Sequence, residues 1–264
     1  MNFSDYKAIV FRRDGRVLHA TFNRPETMNA IDDDLQADLD LLFTDVKDDD
    51  ETNVLVITGA GRAFSAGGNI DTMQTCIDQP ELFRKGTEHG KRLVFSILDC
   101  PKPIIAKVNG AAIGLGATLA LFCDIVFAAQ HAKIADPHVQ IGISAGDGGA
   151  VIWPALIGYA RAKGFLFTGD PVTGEEAARI GLVNRAVPAE ELDKVVDEYA
   201  LRLASGATRA IQYTKLSVNI GLKQLANSIL DTSFAYELLS QRTQDHQEAV
   251  TAFREKRKPR FTGE

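Results

Sequence analysis

Twice along this chain a short apolar run, continuous in the first case and interrupted by Lys107 in the second, leads to glycine and opens into a loop of glycine and other small residues. The first is Val54-Leu55-Val56-Ile57-Thr58-Gly59, followed by Gly61-Arg62-Ala63-Phe64-Ser65-Ala66-Gly67-Gly68-Asn69-Ile70. The second is Pro103-Ile104-Ile105-Ala106-Lys107-Val108-Asn109-Gly110, followed by Ala111-Ala112-Ile113-Gly114-Leu115-Gly116-Ala117. A continuous β-branched run is the pattern of a strand covered on both faces, as in a parallel sheet overlaid by helices. Small residues after such a strand let another group approach the main chain, and they expose backbone N–H groups to it. Two loops of this kind can aim donors at one oxygen, the requirement of an oxyanion hole. The plainer reading of each loop is a tight turn, for which glycine is the usual choice.

The flanking segments define the class. Tyr6 to Phe11 and Val17 to Phe22, around Asp14-Gly15, read as a hairpin. Asp32, Asp33 and Asp34 suit a helix N-terminus, and Leu35, Leu39, Leu42, Phe43 and Val46 follow at helical spacing. A polar helix from Leu82 to Leu98, a small-residue helix from Gly114 to Cys123 and a strand from Asp124 to Ala129 continue the alternation. From Pro188 onward helical periodicity takes over, with Leu192, Val195, Val196, Tyr199 and Leu203 on one face. The class is therefore α/β. The expected organisation is an α/β core over residues 1–190 and a helical region over 191–264, without a low-complexity linker and within one domain.

Composition excludes several functions. With 45% hydrophobic and 24% charged residues in 264, the chain is an ordinary folded domain, and its net charge of -6 argues against a nucleic-acid partner. Only the stretch Arg254-Glu255-Lys256-Arg257-Lys258-Pro259-Arg260 is locally basic; it reads as a solvated helix end or as a contact for phosphate. Cys76, Cys100 and Cys123 lack metal-ligand spacing and fit buried thiols in a reducing compartment, so a cytoplasmic location is expected. The N-terminus shows no secretory signal, and Ala111 to Ala129, the most apolar stretch, is broken by Gly114, Gly116 and Asp124, so no membrane partner is expected. The five histidines, His19, His89, His131, His138 and His246, show no ligand spacing, and no metal site is expected. Gly114-Leu115-Gly116 starts like a dinucleotide fingerprint, but the third glycine would fall on Leu119 and the next strand ends at Gln130 rather than at an acid.

Asn23-Arg24-Pro25-Glu26-Thr27-Met28-Asn29-Ala30, the Ala63 to Ile70 loop, Asn109-Gly110 through Cys123-Asp124-Ile125, Thr168-Gly169-Asp170, and Ala177 to Val183 occur in the order and at the separations of the crotonase (enoyl-CoA hydratase/isomerase) superfamily, which the chain resembles from near residue 6 to its end. The resemblance implies a crotonase-like spiral of ββα units, with a helical C-terminal trimerisation region and a homotrimer or dimer of trimers. It implies an acyl-CoA thioester as substrate, with no cofactor beyond the coenzyme A of that substrate. Carried over by position, it places the oxyanion-hole amides at Ala66 and Leu115. It places coenzyme A contacts at Arg24, Arg62, Ala63, Phe64 and Ala66, and at Phe253 and Lys256 in the tail. Asn69 replaces the aspartate usual in this loop.

The chain also departs from the pattern. The two glutamates with which a standard hydratase adds water align with Thr118 and His138. A threonine hydroxyl has no useful acid or base strength near neutrality, so the two-carboxylate mechanism is expected to be lost or severely impaired. His138 and Asp147, nine positions apart, are the candidate replacements: Asp147 would orient the imidazole, leaving its other nitrogen as acid or base. Asp147 could equally be a helix N-cap, His138 a satisfied wall residue, and Thr118 structural. Asp136, Glu88 and His89 read as solvated or structural, while Phe234 and Tyr236 could line the acyl pocket. The pair, with Gly146-Asp147-Gly148 and Val151-Ile152-Trp153-Pro154, also resembles crotonase-fold β-diketone hydrolases, which cleave a carbon–carbon bond by a retro-Claisen reaction. The expected function is thus hydration of an unsaturated acyl-CoA, a lyase reaction. The alternatives are carbon–carbon hydrolysis of a cyclic acyl substrate, or acyl-CoA binding without chemistry.

Overall fold

The computed structural model describes the backbone of residues 1–264 and every side chain except those of Ile70 and Asp71. In chain order the strands are β1 (Ile9–Asp14), β2 (Val17–Phe22), β3 (Val54–Gly59), β4 (Ala63–Ser65), β5 (Ile104–Val108), β6 (Ala111–Ile113), β7 (Ile125–Ala129), β8 (Lys133–Ala135), β9 (Val172–Thr173) and β10 (Arg185–Val187). The helices are α1 (Asp33–Asp48), α2 (Ile70–Asp78), α3 (Pro80–Asp99), α4 (Leu115–Leu121), α5 (Gly149–Ile157), α6 (Tyr159–Thr168), α7 (Gly174–Ile180), α8 (Ala189–Ala204), α9 (Thr208–Ser240) and α10 (Gln244–Arg254).

Two sheets share the strands. The larger runs β1-β2-β3-β5-β7-β10 and the smaller β4-β6-β8-β9. Except for the β1–β2 hairpin and the β8–β9 pair, neighbouring strands are parallel. Three times in succession the chain passes through the large sheet and then the small one (β3-β4, β5-β6, β7-β8) before a helix returns it to the start of the next turn. This is the crotonase-like spiral of ββα units. The consequence for function is that the segments leaving the small sheet after β4, β6 and β8, which carry Gly67, Gly114 and His138, lie side by side.

The hairpin register pairs Asp14 with Val17, so the turn residues are Gly15 and Arg16 and β1 reaches three residues beyond the expected Phe11. Tyr6 precedes the strand, its hydroxyl donating to Asp45 at 2.8 Å. Asp32 caps α1 by accepting the Leu35 N–H at 2.9 Å, and the five apolar residues expected on its inner face are buried. Asp38 on that face accepts the N–H groups of Lys7, Ala8 and Ile9, at 3.0, 2.7 and 3.0 Å, which anchors the chain entering β1. Ala111 to Ala129 folds as β6, α4 and β7, and among the described residues no helix is long and apolar enough to cross a membrane. Leu192 and Val196 of α8 and Leu230 of α9 join the same apolar core as the sheets. Cys100 and Cys123 are buried as expected, whereas Cys76 is half-exposed.

Candidate active site

The Asn23 to Ala30 segment supports the first glycine loop from below. Asn29 Nδ2 donates to the Ala60 and Ala63 carbonyls, both at 2.9 Å, and the Ser65 hydroxyl donates to the Asn29 carbonyl at 2.8 Å. The Ala66 N–H donates to the Met28 carbonyl at 2.9 Å. This corrects the expected oxyanion donor, because an amide committed to a carbonyl of its own chain is not available to a ligand. The Gly67 N–H goes to the Ser65 hydroxyl at 3.1 Å. The next amide, that of exposed Gly68, has no acceptor among the described residues.

The second loop meets the first at Gly67. A Cβ placed there would lie 2.3 Å from the Ile113 carbonyl oxygen and 3.4 Å from the Leu115 nitrogen, and Gly67 has φ +80°. Only glycine allows this approach. Gly114, at φ +53° and ψ −123°, turns the chain sharply into α4. Leu115 is the first residue of α4, so its N–H has no intrahelical acceptor, and Gly114 has no side chain with which to cap it. The amides left without an acceptor at this junction, among the described residues, are those of Leu115 and Gly68.

His138 stands beside this junction. It opens a 3₁₀ turn after β8, and its Cε1 lies 3.6 Å from a Cβ position on Gly114. Its side chain is 13% exposed, and it is bracketed by two buried carboxylates. Nδ1 is hydrogen-bonded to Asp136 Oδ1, while Nε2 lies 3.5 Å from Asp147 Oδ2. The carboxylate hydrogen-bonded to the ring is thus Asp136 rather than the expected Asp147, and it is 3% exposed. Asp147 instead lies toward Nε2, and the Thr118 hydroxyl donates to its Oδ1 at 3.1 Å. Asp147 is not a helix cap, since that position falls on Gly148. Thr118, aligned with a missing glutamate, thus holds a carboxylate from another segment beside the vacated place.

Burial acts on the protonation of each member. It would push the His138 imidazole down, but Asp136, Asp147 and Glu237 outweigh it and raise the value well above the ordinary one. Burial raises Asp147, against the opposing pull of His138. Glu237, which sequence reasoning missed, comes from α9 and is raised to about 8, by burial first and then by Asp147 and Asp136, with His138 opposing. Asp136, His138 and Asp147 also offer donor atoms within 4.8 Å of one another. The imidazole sits between the carboxylates with a nitrogen toward each.

The coenzyme A contacts expected from sequence fare unevenly. Arg24 is engaged by Asp34 at 3.1 Å and by Asp32 at 3.8 Å. Ala63 and Phe64 are enclosed, and the Phe64 ring packs on Phe22 at 5.4 Å. Ala66 is half-buried. Arg62 and Lys256 are exposed and make no ion pair among the described residues. Phe253 is exposed on α10, which packs against α2 and the turn bearing His138. Of the acyl-pocket candidates, Phe234 is buried with its ring against Gly90, whereas Tyr236 is exposed. Glu88 pairs with Arg84, and His89 with Asp40 at 2.6 Å, both in local contacts.

Paired glycine loops above a buried acid–base cluster, on a spiral of ββα units, define an enzyme scaffold of the crotonase type. Residues 12–264 match the family model for enoyl-CoA hydratase/isomerase, and the chain belongs to that family. It is 37% identical over 263 residues to a crotonyl-CoA hydratase of Syntrophomonas wolfei, covering 97% of this chain and 98% of that protein. It is 34% identical over 249 residues to a 1,2-epoxyphenylacetyl-CoA isomerase of Escherichia coli, covering 94% and 95%. A solved enoyl-CoA hydratase/isomerase from Mycobacterium paratuberculosis superposes with a TM-score of 0.89 at 35% identity, covering 94% of this chain and 99% of that one. Enzymes of this family need no cofactor beyond the coenzyme A of the substrate.

Proposed function

We propose that this protein adds water to an unsaturated acyl-CoA thioester, a lyase reaction, with His138 and Asp147 in place of the two glutamates. The observation that carries the reading is the 3.5 Å approach of His138 Nε2 to Asp147 Oδ2 beside the glycine-loop junction. The amides of Gly68 and Leu115 receive the thioester oxygen, where negative charge develops as the enolate forms. Asp147 takes a proton from water as the new carbon–oxygen bond forms at the β-carbon. The imidazolium of His138 gives its Nε2 proton to the α-carbon, which collapses the enolate. Transfer of the proton from Asp147 back to Nε2 resets the pair, so the net change is the addition of one water. Asp136 fixes the ring at Nδ1 throughout and stabilises its charge.

Arg62, Phe253 and Lys256 are proposed as the coenzyme A contacts, since neither cation has an ion pair among the described residues and all three residues are exposed. Residues 1–190 are treated as the catalytic core and 191–264 as the helical region of the same domain. The same pair could direct water at a ketone carbonyl of the acyl group instead. The segment Gly146-Asp147-Gly148 followed by Val151-Ile152-Trp153-Pro154 favours that second reading, carbon–carbon hydrolysis. Asp147→Asn tests the shared mechanism. It should lower kcat at least ~10²-fold while leaving the Kd for a coenzyme A thioester within about threefold; an unchanged kcat would remove Asp147 from the chemistry.

A further inference from the structure

Glu237 has no task in the reaction above, yet it is one of the most confined ionisable side chains of the protein, at 6% exposure. Its carboxyl lies over Gly146, the residue before Asp147: a Cβ on Gly146 would lie 2.5 Å from both Cβ and Oε2 of Glu237. The loop is tied to α9 there, since the Ser144 N–H donates to the Ser240 hydroxyl at 3.0 Å. Oε2 of Glu237 is buried and has no hydrogen-bond partner among the described residues. The charged groups that act on it are His138, Asp147 and Asp136, the reacting cluster itself.

Oε2 lies unpartnered over the residue before Asp147, and burial raises this carboxyl to about 8, which favours its protonated, donating form at neutrality. A hydrocarbon acyl group laid against it would leave that donor unpaired, and sites built to hydrogen-bond a substrate oxygen reject analogues that lack it. A carboxylate on the substrate would be repelled by Asp136 and Asp147. We propose that the acyl group of the substrate carries an uncharged oxygen of its own, a carbonyl or hydroxyl beyond the thioester, which accepts a hydrogen bond from the Glu237 carboxyl. This rests on the acyl-CoA reading of the site and narrows it to oxygenated acyl groups.

The test uses coenzyme A thioesters of equal chain length, with and without an oxo group on the acyl chain, compared in the wild type, Glu237→Gln and Glu237→Leu. The wild type should favour the oxygenated member at least tenfold in kcat/KM. Glu237→Leu should bring that ratio close to one, and Glu237→Gln, whose amide still donates, should keep part of it. Kd ratios from calorimetry serve equally, so binding without turnover also decides the question. A wild-type ratio near one, or an undiminished ratio in Glu237→Leu, overturns the proposal. Failure to bind either thioester would instead refute the acyl-CoA reading on which it stands.

Discussion

At the scale of single residues, the site is defined by where protons rest. His138 and Glu237 both hold a proton more tightly in the folded chain than in the unfolded one, and the sign of the consequence follows. Above the ordinary value of each group the folded state binds more protons than the unfolded state, so stability falls as pH rises. For His138 the contribution is fully present below about pH 6.5 and is lost as pH passes the raised folded value. For Glu237 the window runs from 4.5 to about 8. Glu237→Gln removes its part. Across that window the variant's unfolding free energy should decline less steeply than the wild type's, by at most ~1.4 kcal/mol per pH unit. Denaturant melts at pH 5, 6.5 and 8 check this, and parallel curves for the two proteins would show that Glu237 is not held protonated.

At the scale of elements, what positions the site is the clamping of α9 onto the sheets. Lys215 on α9 reaches Asp124 at 2.7 Å, just before β7, and donates to the Lys102 carbonyl at 2.9 Å, with its side chain only 6% exposed. Removing one partner of a buried pair leaves the other charge uncompensated. Lys215→Met should therefore cost ~3–5 kcal/mol in urea unfolding, and a loss under 1 kcal/mol would contradict the clamp. Much of this scale is legible in the sequence. The aspartates before Leu35, the unbroken run at Val54 to Ile57 and the glycines at 67 and 114 carry local signals that survive folding. The site is less legible because its decisive contacts are between distant segments. Nothing near Ala66 reveals that its N–H goes to Met28. The spacing of His138 and Asp147 suggested one orienting carboxylate, whereas the fold turns Asp136, two residues from His138, onto Nδ1 and presents Asp147 to Nε2. Glu237 lies in an amphipathic helix where a glutamate reads as solvated, and only the packing of α9 over Gly146 brings it to the cluster.

At the scale of the whole molecule, α9 leaves large apolar side chains in solvent: Tyr213, Val218, Ile220, Tyr236 and Leu239 are each more than half exposed. Such exposure on the region expected to mediate trimerisation is consistent with association between copies. Light scattering on the eluting protein should give the mass of a trimer or hexamer, and a monomer at micromolar concentration would contradict it. The central claim is that the His138–Asp147 pair performs water chemistry on an acyl-CoA thioester. The measurement that tests it most directly is a mass-spectrometric time course with a panel of 2-enoyl, aryl-acryloyl and cyclic β-keto coenzyme A thioesters, run for the wild type and Asp147→Asn. The wild type should add the mass of one water to an enoyl thioester, and the variant should do so at least ~10²-fold more slowly. Water gain confined to ring-opened β-keto substrates would transfer the same residues to carbon–carbon hydrolysis. Binding without any mass change across the panel would contradict the claim and leave the protein an acyl-CoA binder.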